Sequence, residues 1–150
     1  MRIDIISVVP NLMSSFFEYS ICKRAANSGL VEVVLHDLHD FSTKKHKQID
    51  DYPFGGGAGM VIAIEPLTRC LDHLMSERTY DEVIFFSPDG IVLKQGLANQ
   101  LSLCQHMIFI CGHYKGIDER VRAKYVTKEI SIGDYVLSGG ELAAAVTADA

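Results

Sequence analysis

The alternation of apolar and polar positions divides this chain into short strand-like runs and longer amphipathic segments. Residues Arg2 to Val9 alternate and then run apolar, the pattern of an interior strand. Pro10 and Asn11 break it. Leu12 to Asn27 then reads as one helix, with Leu12, Phe16, Ile21, Arg24 and Ala25 near helical spacing and Ser28-Gly29 as its stop. Val31 to Leu38 predicts a second strand, so the order strand, helix, strand predicts a βαβ unit and a parallel sheet. Asp40 to Tyr52 is a polar loop rich in positive charge (Lys44, Lys45, His46, Lys47), read as a solvated surface, with phosphate contact as the alternative.

The second half repeats one theme. Glu65 to Met75 predicts a helix with Pro66 in its first turn. Val83 to Phe86 predicts a short buried strand ending at Ser87-Pro88-Asp89-Gly90. Lys94 to Leu103 predicts a helix, and Met107 to Cys111 a second buried strand ending at Gly112-His113-Tyr114-Lys115-Gly116. Ile117 to Ala123 predicts a helix with Asp118 and Glu119 in its first turn, where the dipole favours acids. A third strand, Tyr125 to Ile130, leads into Ser131-Ile132-Gly133-Asp134-Tyr135-Val136-Leu137-Ser138-Gly139-Gly140, and Glu141 opens an Ala-rich helix.

Each of the three buried strands therefore ends in a glycine-bearing loop. Ligands of open parallel α/β sheets bind beyond the carboxyl ends of the strands, so these loops predict a single pocket. Ile132, Tyr135, Val136 and Leu137 are too apolar for a solvated loop. Set among turning glycines, they suit a cup that wraps a flat aromatic ligand and meets its polar edge with backbone groups. A buried strand–turn–helix connection fits the same spacing. Gly55, Gly56, Gly57 and Gly59 form a further glycine-rich segment, either hugging phosphate or RNA or making a tight packing turn. It is no Walker loop, since no Gly-Lys-Ser/Thr follows, and no GxGxxG motif.

Bulk properties narrow the class. A chain of 150 residues, 48 % hydrophobic and 22 % charged, is one soluble globular domain with a real core. No signal peptide and no membrane-spanning run is found, and the cysteines, without a CxxC pair, read as free thiols of a cytoplasmic protein. The net charge of −5 argues against strong nucleic-acid binding by this chain alone. The absence of GxGxxG after Val9 weighs against a dinucleotide enzyme and against Rossmann-type methyltransferases.

Four segments in order carry a resemblance: DDYPFGGGAGM at 50–60, SPDG at 87–90, CGHYKGIDERV at 111–121 and ISIGDYVLSGGELAA at 130–144. Through them the whole chain resembles the bacterial tRNA (guanine-N1) methyltransferases of the SPOUT class. The resemblance implies an α/β fold, a parallel sheet flanked by helices, with a deep trefoil knot in its C-terminal part. It implies S-adenosyl-L-methionine as cofactor, a homodimer, and methylation of N1 of the guanosine 3′ of the tRNA anticodon (position 37). By position, Gly112 and Ile132, Gly133, Asp134, Tyr135, Val136 and Leu137 hold adenine and ribose. Ser87, Pro88, Tyr114, Gly116 and Gly140 line the pocket, and Asp50, Gly55, Gly56, Gly57 and Gly59 are candidates for tRNA contact.

Two departures bear on the carry-over. The family commonly has Arg and Glu where this sequence has His113 and Lys115, and that Glu is linked to metal-assisted catalysis, so no metal is expected at Lys115. The family's general base, an Asp, and its tRNA-gripping domain correspond to positions after Ala150. Residues 1–150 are thus read as the cofactor-binding domain, with no catalytic residue of their own and weak or no activity alone. The alternative is a non-catalytic nucleotide- or RNA-binding α/β module. His36 and His39 match no metal-ligand spacing. Asp134 reads as a loop hydrogen-bond acceptor, and Arg120 and Arg122 face phosphate or water.

Overall fold

The computed structural model describes residues 1–53, 56 and 59–150. Strand β1 (Arg2–Ser7) is an interior strand, as its mostly apolar and buried run requires, with β2 (Glu32–Asp37) on its edge side. The connection between them differs from expectation. In place of one helix there are two, α1 (Asn11–Phe17) and α2 (Ser20–Asn27), separated at Glu18-Tyr19 with Ser20 at φ 55°. The break shifts the helical phase: Met13 and Phe17 face inward on α1 and Cys22 and Ala25 on α2, while Leu12 and Ile21 are exposed. A periodicity count that assumes one continuous helix cannot follow such a slip.

After β2 the polar segment makes two short 3₁₀ turns and a small antiparallel pair, β3 (Asp50–Asp51) with β4 (Val61–Ile62), so it is more ordered than a plain loop. Helix α3 (Ile64–Glu77) follows, with Pro66 in its first turn. Strand β5 (Glu82–Val92) is the second correction: it does not stop at Ser87. The register shifts between Phe86 and Ile91, and the chain then rejoins its neighbour. Gly90 makes this possible, because a Cβ there would lie 2.6 Å from the Ile130 backbone nitrogen.

Helix α4 (Gln95–Leu101), strand β6 (His106–Ile110), helix α5 (Glu119–Tyr125), strand β7 (Lys128–Ser131) and helix α6 (Glu141–Asp149) complete the order. Tyr125, expected in the last strand, closes α5 instead, buried with its hydroxyl donating to Asp72 at 2.7 Å. The predicted parallel sheet is present: five strands in the order β2-β1-β6-β5-β7, every pair parallel.

Side chains on one face (Ile6, Val83, Phe85, Ile108, Ile110) pack on α3 and α5 through Leu67, Leu71 and Val121. The other face (Ile3, Ile5, Ile84, Phe109, Ile130) packs with Met13 of α1, Leu101 of α4 and Ala143 and Ala144 of α6. Among the described residues, no helix is long and apolar enough to cross a membrane.

Among the described strand residues, one carboxylate is buried in this apolar sheet. Asp4 is fully buried and accepts from the Arg2 guanidinium at 2.8 and 2.9 Å and from Tyr80 at 2.8 Å, with His36 Nε2 at 2.7 Å. Burial alone would raise its pKa. The hydrogen bonds from His36, Arg2 and Tyr80 outweigh that and hold the carboxyl far below the usual carboxylate range.

Candidate active site

A cavity of about 410 Å³ opens at the carboxyl ends of β5, β6 and β7, where parallel α/β sheets bind ligands. Its floor is Phe85, Phe86 and Ile130, and its walls are the three loops that follow these strands. Every candidate for the cofactor cup except Asp134 lines it: Ser87, Pro88, Gly112, Tyr114, Gly116, Ile132, Gly133, Tyr135, Val136, Leu137 and Gly140. Asp134 is exposed on the outer side of its loop, away from the lining. Sequence reasoning missed Phe85, Asp89, His113, Arg122 and Ser138, which also form the wall. A strand ending in two phenylalanines above a glycine loop could have flagged Phe85, but nothing local flags Arg122, which comes from α5.

The loop that follows β7 turns back across the end of β6. Gly140 N donates to Gly112 O at 2.8 Å, and Gly139 forms an isolated antiparallel bridge with His113. The approach is tight because neither Gly112 nor Gly140 has a side chain. A Cβ on Gly140 would lie 2.8 Å from Cys111 Cα and 2.9 Å from Gly112 N, and one on Gly112 would lie 2.9 Å from the Phe85 ring. Glu141 then enters the protein interior. Its Oε1 accepts from Ser7 Oγ at 2.6 Å at the end of β1, and its Oε2 lies 3.5 Å from His113 Nε2. The sequence shows Glu141 only as a helix-opening acid; the fold makes it the bolt between α6, β1 and the cup.

The rim is stitched to the glycine-rich segment. Lys115 N donates to Met60 O at 3.0 Å, and Ile62 N donates to Gly116 O at 2.9 Å. Tyr114 adopts φ 58° at the crest of this turn, and burial together with Asp50 raises the pKa of its phenol. Arg122 is held by both carboxylate oxygens of Glu129, with Nη2 to Oε2 at 2.6 Å. Burial pushes the Cys111 thiol well above its ordinary pKa, so it serves as packing and not as a nucleophile.

The remaining candidates spread out. Asp50 is in β3, Gly56 has φ 85°, and Gly59 rests against Lys115. Gly55 and Gly57 lie outside the described residues. Asp118 caps α5, accepting from Arg120 N at 2.9 Å and from the Arg120 guanidinium. His36 is taken by Asp4, and His39 Nδ1 lies 2.7 Å from Asp37.

With this geometry in view, comparison with known proteins is decisive. Residues 1–150 match the family described as tRNA (Guanine-1)-methyltransferase TrmD. The chain belongs to this family. A tRNA (guanine-N(1)-)-methyltransferase of Christiangramia forsetii is 62 % identical over 149 residues, covering 99 % of this chain and 66 % of that protein. The one from Bacteroides thetaiotaomicron is 60 % identical over 150 residues, covering all of this chain and 67 % of that protein. The crystal structure of the tRNA (m1G37) methyltransferase from Aquifex aeolicus superposes with a TM-score of 0.91 at 40 % identity, over 99 % of this chain and 67 % of that one. The chain thus spans about two thirds of the length of these methyltransferases.

Proposed function

We propose that this chain carries the S-adenosyl-L-methionine cup of a tRNA methyltransferase that modifies N1 of the guanosine 3′ of the anticodon. The cavity at the ends of β5, β6 and β7, in a chain of this family, is the observation that carries the reading. The cup fits the cofactor by its own chemistry: its volume lies in the range of small-molecule sites, its floor is apolar, and backbone closely approaches it at Gly112 and Gly140. When bound, the cofactor supplies a methyl group already activated on a sulfonium.

The protein's part is then orientation and water exclusion. Gly112 and the backbone of 132–137 would hold adenine and ribose, and Ser87, Pro88, Tyr114, Gly116 and Gly140 would close the walls of the cup. Guanine N1 carries a proton at neutral pH, so its methylation needs a base. No residue of this chain is assigned that role, since Glu141 is engaged by Ser7 and Asp118 by Arg120. Asp50, Gly56 and Gly59 are the described residues of the tRNA-contact candidates, and the enzyme works in the cytoplasm where tRNA matures.

Two further features belong to this reading. The return of residues 132–140 past the end of β6 before α6 tucks beneath the sheet supports the deep trefoil knot. Leu12 on α1 with Leu142 and Val146 on the adjoining α6 are exposed, apolar surface that a homodimer would cover.

Calorimetric titration with S-adenosylmethionine and S-adenosylhomocysteine tests the cup. Saturable binding of both is expected. A Cβ on Gly133 would fall 2.2 Å from Cε1 of Tyr135, a ring of the cup. Overpacking of about 1–3 kcal/mol makes Gly133→Val lose about ten- to a hundredfold in affinity. A folded chain that binds neither compound overturns the assignment of the ligand.

A further inference from the structure

The cavity wall carries three side chains able to bear positive charge: His113, Lys115 and Arg122. Two are engaged. Arg122 is neutralised by both oxygens of Glu129 and has Glu119 at 3.5 Å, while His113 faces Glu141. Lys115 is different. Its ammonium has no hydrogen bond or ion pair among the described residues, and it is exposed at the rim.

Its backbone is nonetheless tied down. Lys115 N donates to Met60 O, Gly116 O accepts from Ile62 N, and Tyr114 before it takes a left-handed φ of 58°. The aliphatic stem lies over Gly59, which has φ 99° and no side chain to crowd it. The chain thus places an unneutralised ammonium between the cup and the glycine-rich segment. Acids stand around the same rim: Asp89 on the cavity wall, and Asp50, close enough to Tyr114 to raise its pKa. Both disfavour an anion at the rim, which leaves Lys115 as the group that would favour one.

A guanine presented to this cup enters with its N1–O6 edge first. When N1 loses its proton to a base, the negative charge is shared with O6, the atom next to N1 on the same edge, and needs a cationic or N–H partner. We infer that the Lys115 ammonium is that partner, a catalytic group that holds the O6 edge of the target guanine and favours its N1-deprotonated form. This rests on the methyltransferase reading of the cup.

The test uses S-adenosylhomocysteine-loaded protein and a short RNA hairpin carrying 6-thioguanosine 3′ of the anticodon. The absorbance of the thiobase reports its own N1 protonation. In the wild type, the bound thiobase should lose its proton about one pH unit below the free hairpin, the shift expected of an opposite charge within hydrogen-bonding reach. Lys115→Met should return the midpoint to that of the free hairpin, and Lys115→Arg should keep the shift. S-adenosylhomocysteine should still bind all three saturably, which shows that the cup is intact when the thiobase is read.

A shift that survives in Lys115→Met, or a wild type that shows none, overturns the inference and leaves Lys115 a solvated surface lysine. Failure of S-adenosylhomocysteine to bind any variant overturns the cup itself and this inference with it.

Discussion

Gly140→Val should weaken cofactor binding by about a hundredfold or more while leaving the sheet folded. The glycine touches backbone, not side chains: the Cβ position is 2.8 Å from Cys111 Cα and 2.9 Å from Gly112 N. A rotamer change at a neighbour cannot relieve such a contact, so the loop must lift from the end of β6, breaking the Gly140–Gly112 hydrogen bond. Lifting it moves Leu137, Ser138 and Gly139 away from the other walls of the cavity. The expected loss in affinity for S-adenosylhomocysteine is about a hundredfold or more, from overpacking of ~3 kcal/mol. Calorimetry reads the affinity, and far-ultraviolet circular dichroism checks that the helices persist. The contrast with Gly133 is informative. There the obstruction is a single tyrosine ring that can swing, so the smaller loss predicted for Gly133→Val should follow. Equal losses at both positions would contradict the backbone-contact argument.

Asp4→Ala should be the most destabilising single change in the sheet. It removes the acceptor of Arg2, His36 and Tyr80 at once and leaves the half-buried Arg2 guanidinium only the exposed carboxylate of Glu32, 3.0 Å away. Breaking a buried pair from one side costs about 3–5 kcal/mol, which lowers Tm by on the order of 10 °C in a chain of this size. The pH dependence has a definite sign. The folded carboxyl is held far below its ordinary value of 3.8, so the stability due to Asp4 is fully present above that pH. It is lost as pH falls from 3.8 toward the lower folded value, because the unfolded chain then takes up a proton that the folded one refuses. Urea midpoints of the wild type and Asp4→Asn measured at neutral pH and below pH 3.8 should therefore converge in acid. Parallel curves would mean that the carboxylate does not carry the network.

Much of the architecture was legible because burial on both faces leaves a strong local mark. The apolar runs of β1, β5 and β6 could hardly be anything other than interior strands, and the glycine loops after them pointed to a ligand at their carboxyl ends. Errors arose where a local signal had no say. Nothing between Leu12 and Asn27 is Pro or Gly, yet the helix breaks at Glu18-Tyr19, after Met13 and Phe17 of α1 have packed on the sheet. Ser87-Pro88-Asp89-Gly90 has the composition of a strand terminator, but pairing with β7 resumes at Ile91 because Gly90 lets the two backbones close.

The cofactor-cup candidates came from motif resemblance, and the fold brings all but Asp134 to one cavity. Glu141 and Lys115 show the limit of reading the chain alone. In the sequence, the first is a helix-opening acid and the second a departure from the family's glutamate that only argued against a metal. The partners that define them, Ser7 and Gly59, are 134 and 56 positions away. Sequence by itself determined the strands, the parallel sheet and the family, since these rest on local periodicity and on motifs read in order. Tertiary structure alone decided which glycines meet backbone, which acids are buried and, among the described residues, which cation of the cavity wall stays unpaired. Those properties depend on what long-range folding brings within a few ångströms, and no local pattern records that.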